Sequence, residues 1–167
     1  MGLDMYAYKL KAEHAPADDC KMREAVCKAV GFELVSDDHF GKMSEKDQLA
    51  YIEAKRKAMD KAKAEGIFDG DFAYWRKFNA LHGFMEDLWR SRGNSGKFNC
   101  TQMRLTADDL DELQERVDDK SLEPRDGFFF GDTDPVTEDE YSKVADFIAK
   151  ARQAIADGYA VYYDSWW

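Results

Sequence analysis

The segment WRKFNALHGFMEDLW, residues 75–89, constrains the fold more than any other stretch. On a helical wheel Phe84, Leu88, Leu81, Met85, Phe78, Trp89, His82 and Trp75 fall within one half-circle. An apolar face that wide has to be covered by another layer, which predicts a buried amphipathic helix over 75–89. The covering layer is read from the two ends of the sequence. LDMYAYKL (3–10) and YAVYYDSWW (159–167) are rich in aromatic residues that suit a pleated surface, so both predict strands. Strands at both ends with helices between predict an α+β fold. Its small antiparallel or mixed sheet includes the N- and C-terminal strands, with several helices packed on one face.

The intervening elements follow from local signals. DDCKMREAVCKAV (18–30) reads as a helix closed by Gly31, and FELVS (32–36) as a short strand. Ser44 opens a polar helix, with Asp47 as a partial capping box and Gly66 as its stop. Its apolar stripe is thin (Leu49, Ile52, Met59), so residues 44–66 read as a helical insertion on the surface. SRGNSG (91–96) breaks the chain, and KFNCTQMRL (97–105) reads as a strand. Thr106 with Asp109 caps a helix carrying Leu110, Leu113 and Val117. GFFFG (127–131) reads as a buried or edge strand. Thr137 with Glu140 opens a last helix that carries Tyr141, Val144, Ala145, Ile148 and Ile155 and closes at Gly158. With 167 residues and no repeat or low-complexity linker, the expectation is a single domain, 1–167.

The net charge of −10 is concentrated. Residues 106–140 hold 14 acids against three bases, and the rest of the chain 20 against 21. A duplex-binding protein would show a basic footprint, so no direct nucleic-acid binding is expected. The acidic region serves as a solvated face, or as a nucleic-acid mimic that docks on a host protein. Cys20, Cys27 and Cys100 form neither an even set nor a CxxC pair, which fits reduced thiols in a cytoplasm. There is no long apolar run, no secretory pattern and no myristoylation pattern, so no membrane association is expected.

His82 is the sharpest candidate for chemistry. Helical spacing sets Asn79 and Glu86 beside it, with Arg76 at the margin. Such a strip suits an anion, or holds His82 in one tautomer for proton transfer. The same placement suits a half-buried histidine satisfied by Asn79 or Glu86 between two tryptophans. HxxxE supplies two ligands where zinc wants at least three, so no metal is expected, and no cofactor-binding motif is present. RDGFFFGD departs from the RNA-binding aromatic pattern, with acidic flanks that repel phosphate. DTD at 132–134 lacks a calcium-loop pattern. YYDSWW suits stacking on a nucleobase, a core strand, or a contact in a homo-oligomer; Trp166 or Trp167 should pack on the domain or on a second subunit.

MGLDMYAYK, YWRKFNALHGF (74–84), GFFFG (127–131) and YYDSWW, in that order, resemble a family of small phage and prophage proteins of uncharacterised function. Members begin MGLDMYL, carry a YWRKxNxIHxWF-like segment and GFFFG, and finish near YYxSSW. This chain departs at Gly83, at Met85, in the length of its Lys/Ala-rich helix and in its SWW ending. The resemblance implies an accessory protein of the infected or lysogenic bacterial cytoplasm that binds a host protein or a small signalling molecule.

These observations support, first, a non-catalytic binding protein for a small anionic or nucleotide-like ligand. Trp75 and Trp166 would stack, Arg76 would meet the charge, Asn79 and His82 would supply hydrogen bonds, and Glu86 and Ser165 would complete the lining. The alternatives are an interaction module acting through 106–140, and an enzyme using His82 as acid/base with Glu86, Asp4 or Asp164.

Overall fold

In the computed structural model, which describes residues 2–126 and 134–167, four strands are formed: β1 (Asp4–Lys11), β2 (Phe68–Arg76), β3 (Met103–Leu105) and β4 (Tyr159–Trp166). They make one antiparallel sheet in the order β2–β1–β4–β3. The terminal strands thus lie side by side at its centre. Six helices accompany them among the described residues: α1 (Met22–Ala29), α2 (Asp37–Lys42), α3 (Glu45–Ala64), α4 (Asn79–Ser91), α5 (Ala107–Asp118) and α6 (Glu138–Ala156). This is the expected α+β architecture.

Strand alternation sorts the core. Met5 and Ala7 of β1, with Val161 and Tyr163 of β4, point to the first face. There they meet Leu81 and Met85 of α4, Leu110 and Leu113 of α5, and Val144, Phe147 and Ile148 of α6. Burying each such Leu, Ile or Met contributes roughly 1.5–3 kcal/mol. Tyr8, Leu10, Ala160 and Tyr162 point the other way, to Met22 and Val26 of α1 and Ala62 of α3. The helices therefore occupy both faces, where the sequence suggested one. The physical reason is that β1 and β4 carry apolar side chains at both parities, so neither face can be left to water.

Local signals placed several boundaries well. Ser44 accepts from the Asp47 amide at 3.2 Å, and both Thr106 and Thr137 close full capping boxes. Gly66 and Gly158 take φ of +65° and +84° just past α3 and α6, where a side chain would be strained. As expected, the first half of α3 lies on the surface, with Leu49 63% and Ile52 53% exposed; Ala58 and Ala62 in its second half are buried.

Three expectations of local structure are corrected. The helix read over 75–89 begins at Asn79, and Trp75 and Arg76 belong to β2. Sheet pairing decides this: Lys77 still donates its amide to the Leu3 carbonyl at 2.8 Å, and its φ of +55° then breaks the chain before the helix. FELVS forms no strand; the Val35 amide donates to the Tyr51 hydroxyl at 3.3 Å, and Phe32 packs on the Tyr51 ring. The short α2 follows it, capped by Ser36. Of residues 97–105 only Met103–Leu105 pair as strand, because Cys100 takes a φ of +54° and donates its amide to the Ser165 carbonyl. GFFFG lies outside the described residues.

Candidate functional site

Among the described residues, helices cover the second face of the sheet at one end. Met22, Val26 and Ala62 pack over Leu10, Phe68 and Ala160. At the other end Tyr74 is 54% and Trp166 51% exposed. Register sets Tyr6 across from Tyr74 on β2 and Asp164 on β4, and Asp4 across from Arg76 and Trp166. A cleft of about 450 Å³ opens here, lined by Tyr6, Tyr8, Arg23, Gln102, Asp164 and Trp166, with Cys100 and Ser165 at its edge. That volume falls within the range of small-molecule sites.

Its wall is aromatic. The Tyr6 and Tyr8 rings lie parallel, within 8°, with centroids 6.1 Å apart, and Tyr74 leans on Tyr6 at 5.3 Å. Its polar groups converge on one carboxylate. Asp164 Oδ2 accepts from Gln102 Nε2 at 2.8 Å and from an Arg23 terminal nitrogen at 3.1 Å. The same Arg23 nitrogen donates to the Tyr8 hydroxyl at 3.1 Å, and the guanidinium lies 5.6 Å from the Tyr8 ring centre. Asp164 Oδ1 is buried and accepts no hydrogen bond of ordinary geometry from the described residues.

Burial governs the protonation states here. It pushes the Asp164 carboxyl up, against the pull of Gln102, Arg23 and the Ser165 amide. It lifts the Tyr8 phenol to about 12, with Arg23 opposing, so Tyr8 remains a neutral donor and acceptor at physiological pH. At the open end Asp4 accepts from the Tyr74 hydroxyl at 2.6 Å, and Arg76 Nε stands 3.9 Å from Asp4.

The sheet divides the residues singled out from sequence. Arg76 and Trp166 come together on the cleft side, one on each flank of Asp4, about 10 Å apart by strand spacing. Trp75 points into the first-face core, edge-on to Phe147 with ring centres 4.9 Å apart, and so cannot share a ligand with Trp166. Asn79 is buried at the first turn of α4. His82 does meet the terminal strand, but inside the core. Its Nδ1 lies 2.9 Å from the Tyr163 hydroxyl, and its ring stacks on Phe98 at 5.7 Å. Burial depresses its pKa to about 4, with Glu86 raising and Arg125 lowering it further. Glu86 is held by Arg90 at 2.5 Å and Arg125 at 3.3 Å. Gly83 gives Arg125 its room, since a Cβ there would stand 3.1 Å from Arg125 Nε. Ser165 lines the cleft edge while its hydroxyl donates to the Phe98 carbonyl at 3.2 Å. Trp167 packs on the domain, its indole donating to Phe98 O at 3.3 Å.

Sequence reasoning passed over Tyr6, Tyr8, Arg23 and Gln102 as site residues. The signal for the two tyrosines was present: in DMYAYK, strand parity sends both to one side, and the same parity groups Tyr162, Asp164 and Trp166. Arg23 and Gln102 arrive from separate elements, and no local pattern announces them. Among the described residues no three metal-ligating side chains cluster. No helix among them is long and apolar enough to cross a membrane. Comparison with family models, with curated proteins and with solved structures returns no match to this chain.

Proposed function

We propose that this chain is a non-catalytic binding protein, of phage or prophage origin as its motifs suggest, that holds a small anionic, nucleotide-like ligand in the cleft on the second face of the sheet. One observation carries this reading: Tyr6 and Trp166 line the cleft with aromatic surface, Tyr74 extends it, and the solvent-facing guanidiniums of Arg23, paired with Asp164, and Arg76, beside Asp4, flank it. A planar base stacks on the aromatic wall while a phosphate meets the exposed Arg76. His82 supports the core instead: it is 0% exposed and held neutral, which disfavours its use as an acid/base. The acidic region is partly engaged within the fold, since Arg92 pairs with Asp109, Arg152 with Asp111, and Lys120 with Glu138. That favours the cleft over an acidic docking face.

Calorimetric titration with the four ribonucleoside 5′-monophosphates tests the reading. At least one binds the wild type. Trp166→Ala weakens that binding by roughly 1–3 kcal/mol, the worth of one base–aromatic stack. Arg76→Ala weakens the nucleotide and spares the corresponding nucleoside. A wild type that binds none of the four overturns the reading.

A further inference from the structure

We infer that Asp164 is the specificity-determining residue of this cleft: its Oδ1 accepts an N–H from the edge of a planar nitrogen heterocycle stacked beside Tyr6. The inference rests on the ligand-binding reading above and adds to it which edge the ligand must present.

Asp164 sits directly across from Tyr6 in the β1–β4 register, with its side chain only 5% exposed. Its two side-chain donors, Gln102 and Arg23, converge on Oδ2, and the Ser165 amide also favours the ionised carboxyl. Oδ1 is buried with no hydrogen bond of ordinary geometry from the described residues, in a residue that lines the cleft. A buried acceptor without a donor is costly, and more so when it carries charge. Natural structures keep such groups where a ligand completes them, and a site built to hydrogen-bond one donor rejects analogues that lack it. The raised carboxyl pKa agrees, because a donor at Oδ1 would favour the ionised form. A ring with its face toward Tyr6 and Trp166 brings its edge, not its face, to the neighbouring Asp164. Heterocyclic N–H groups lie on that edge.

Asp164→Asn gives a directed test. Gln102 and Arg23 both need an acceptor at the Oδ2 position, so the amide carbonyl stays there and the NH₂ takes the place of Oδ1. The substitution thus turns an acceptor into a donor with little change in shape. For whichever monophosphate binds the wild type most tightly, Asp164→Asn weakens binding at least tenfold and flattens the ranking of the four bases. Trp166→Ala weakens all four without reordering them. A second arm keeps the wild-type protein and changes the ligand: the analogue with methyl groups in place of its edge N–H hydrogens binds at least tenfold more weakly than its parent. If the wild type binds but Asp164→Asn keeps both affinity and ranking, or the methylated analogue binds as well as its parent, Asp164 is not the reader and the cleft reading stands. If the wild type binds no monophosphate, both fall together.

Discussion

His82 and Asp164 are both buried titratable groups, and burial moves them in opposite directions. The folded chain keeps His82 neutral down to about pH 4, while an unfolded histidine takes up its proton near pH 6.5. Between those values the unfolded state binds more protons, so this contribution to stability is complete above about 6.5 and is lost as pH falls toward 4. The loss is on the order of 3 kcal/mol. Thermal melts at neutral and acid pH should show it, and His82→Gln should have a shallower acid slope than the wild type. Asp164 has the reverse sign. Its carboxyl is raised from 3.8, so its contribution is present below that value and is lost as pH rises through the folded value. Asp164→Asn is therefore expected to melt no lower than the wild type at pH 7, and a clearly lower Tm there would contradict this account. A residue that lowers stability at working pH is a mark of function. His82 was conspicuous in the sequence because it interrupts an apolar wheel. Asp164 was inconspicuous because one acid among YAVYYDSWW looks like any outward-facing residue until its partners arrive from α1 and the 97–105 segment.

Helix starts were readable because a cap is a local event, and the β2–α4 boundary was not. FDGDFAYWR holds a glycine and three charged residues, and the β1–β2 register shifts between Ala7 and Lys9 beside them. Trp75 lies three residues before Phe78, a spacing that fits a helical stripe as well as a strand that ends in a turn. The caps themselves make a contrasting pair. Thr137 starts a helix with six buried side chains, so Thr137→Ala should cost about 1 kcal/mol. That lowers Tm by about 2–4 °C in a chain of this size. Ser44 starts the half of α3 that leaves Leu49 and Ile52 in water. Ser44→Ala should leave Tm nearly unchanged and raise amide exchange only in the first turns of α3, since opening there is local.

The overall class was readable because the sheet's central strands are the alternating, aromatic-bearing stretches at either end of the sequence. The second helical layer was not, because Tyr8 and Tyr162 look amphipathic in sequence and become core only when α1 and α3 arrive over them. The cleft exists because those two helices stop short of the Tyr6–Trp166 end. Its position is thus a property of helix placement rather than of any motif. β1 and β4 pair residue for residue from Asp4↔Trp166 to Lys11↔Tyr159. The most distant parts of the sequence make the middle of the sheet, and contacts of that range form slowly. A chain made from its N-terminus offers β1 its edge partner β2 well before its central partner β4. The apolar side of β1 therefore waits longest for the strand that lies beside it at the middle of the sheet.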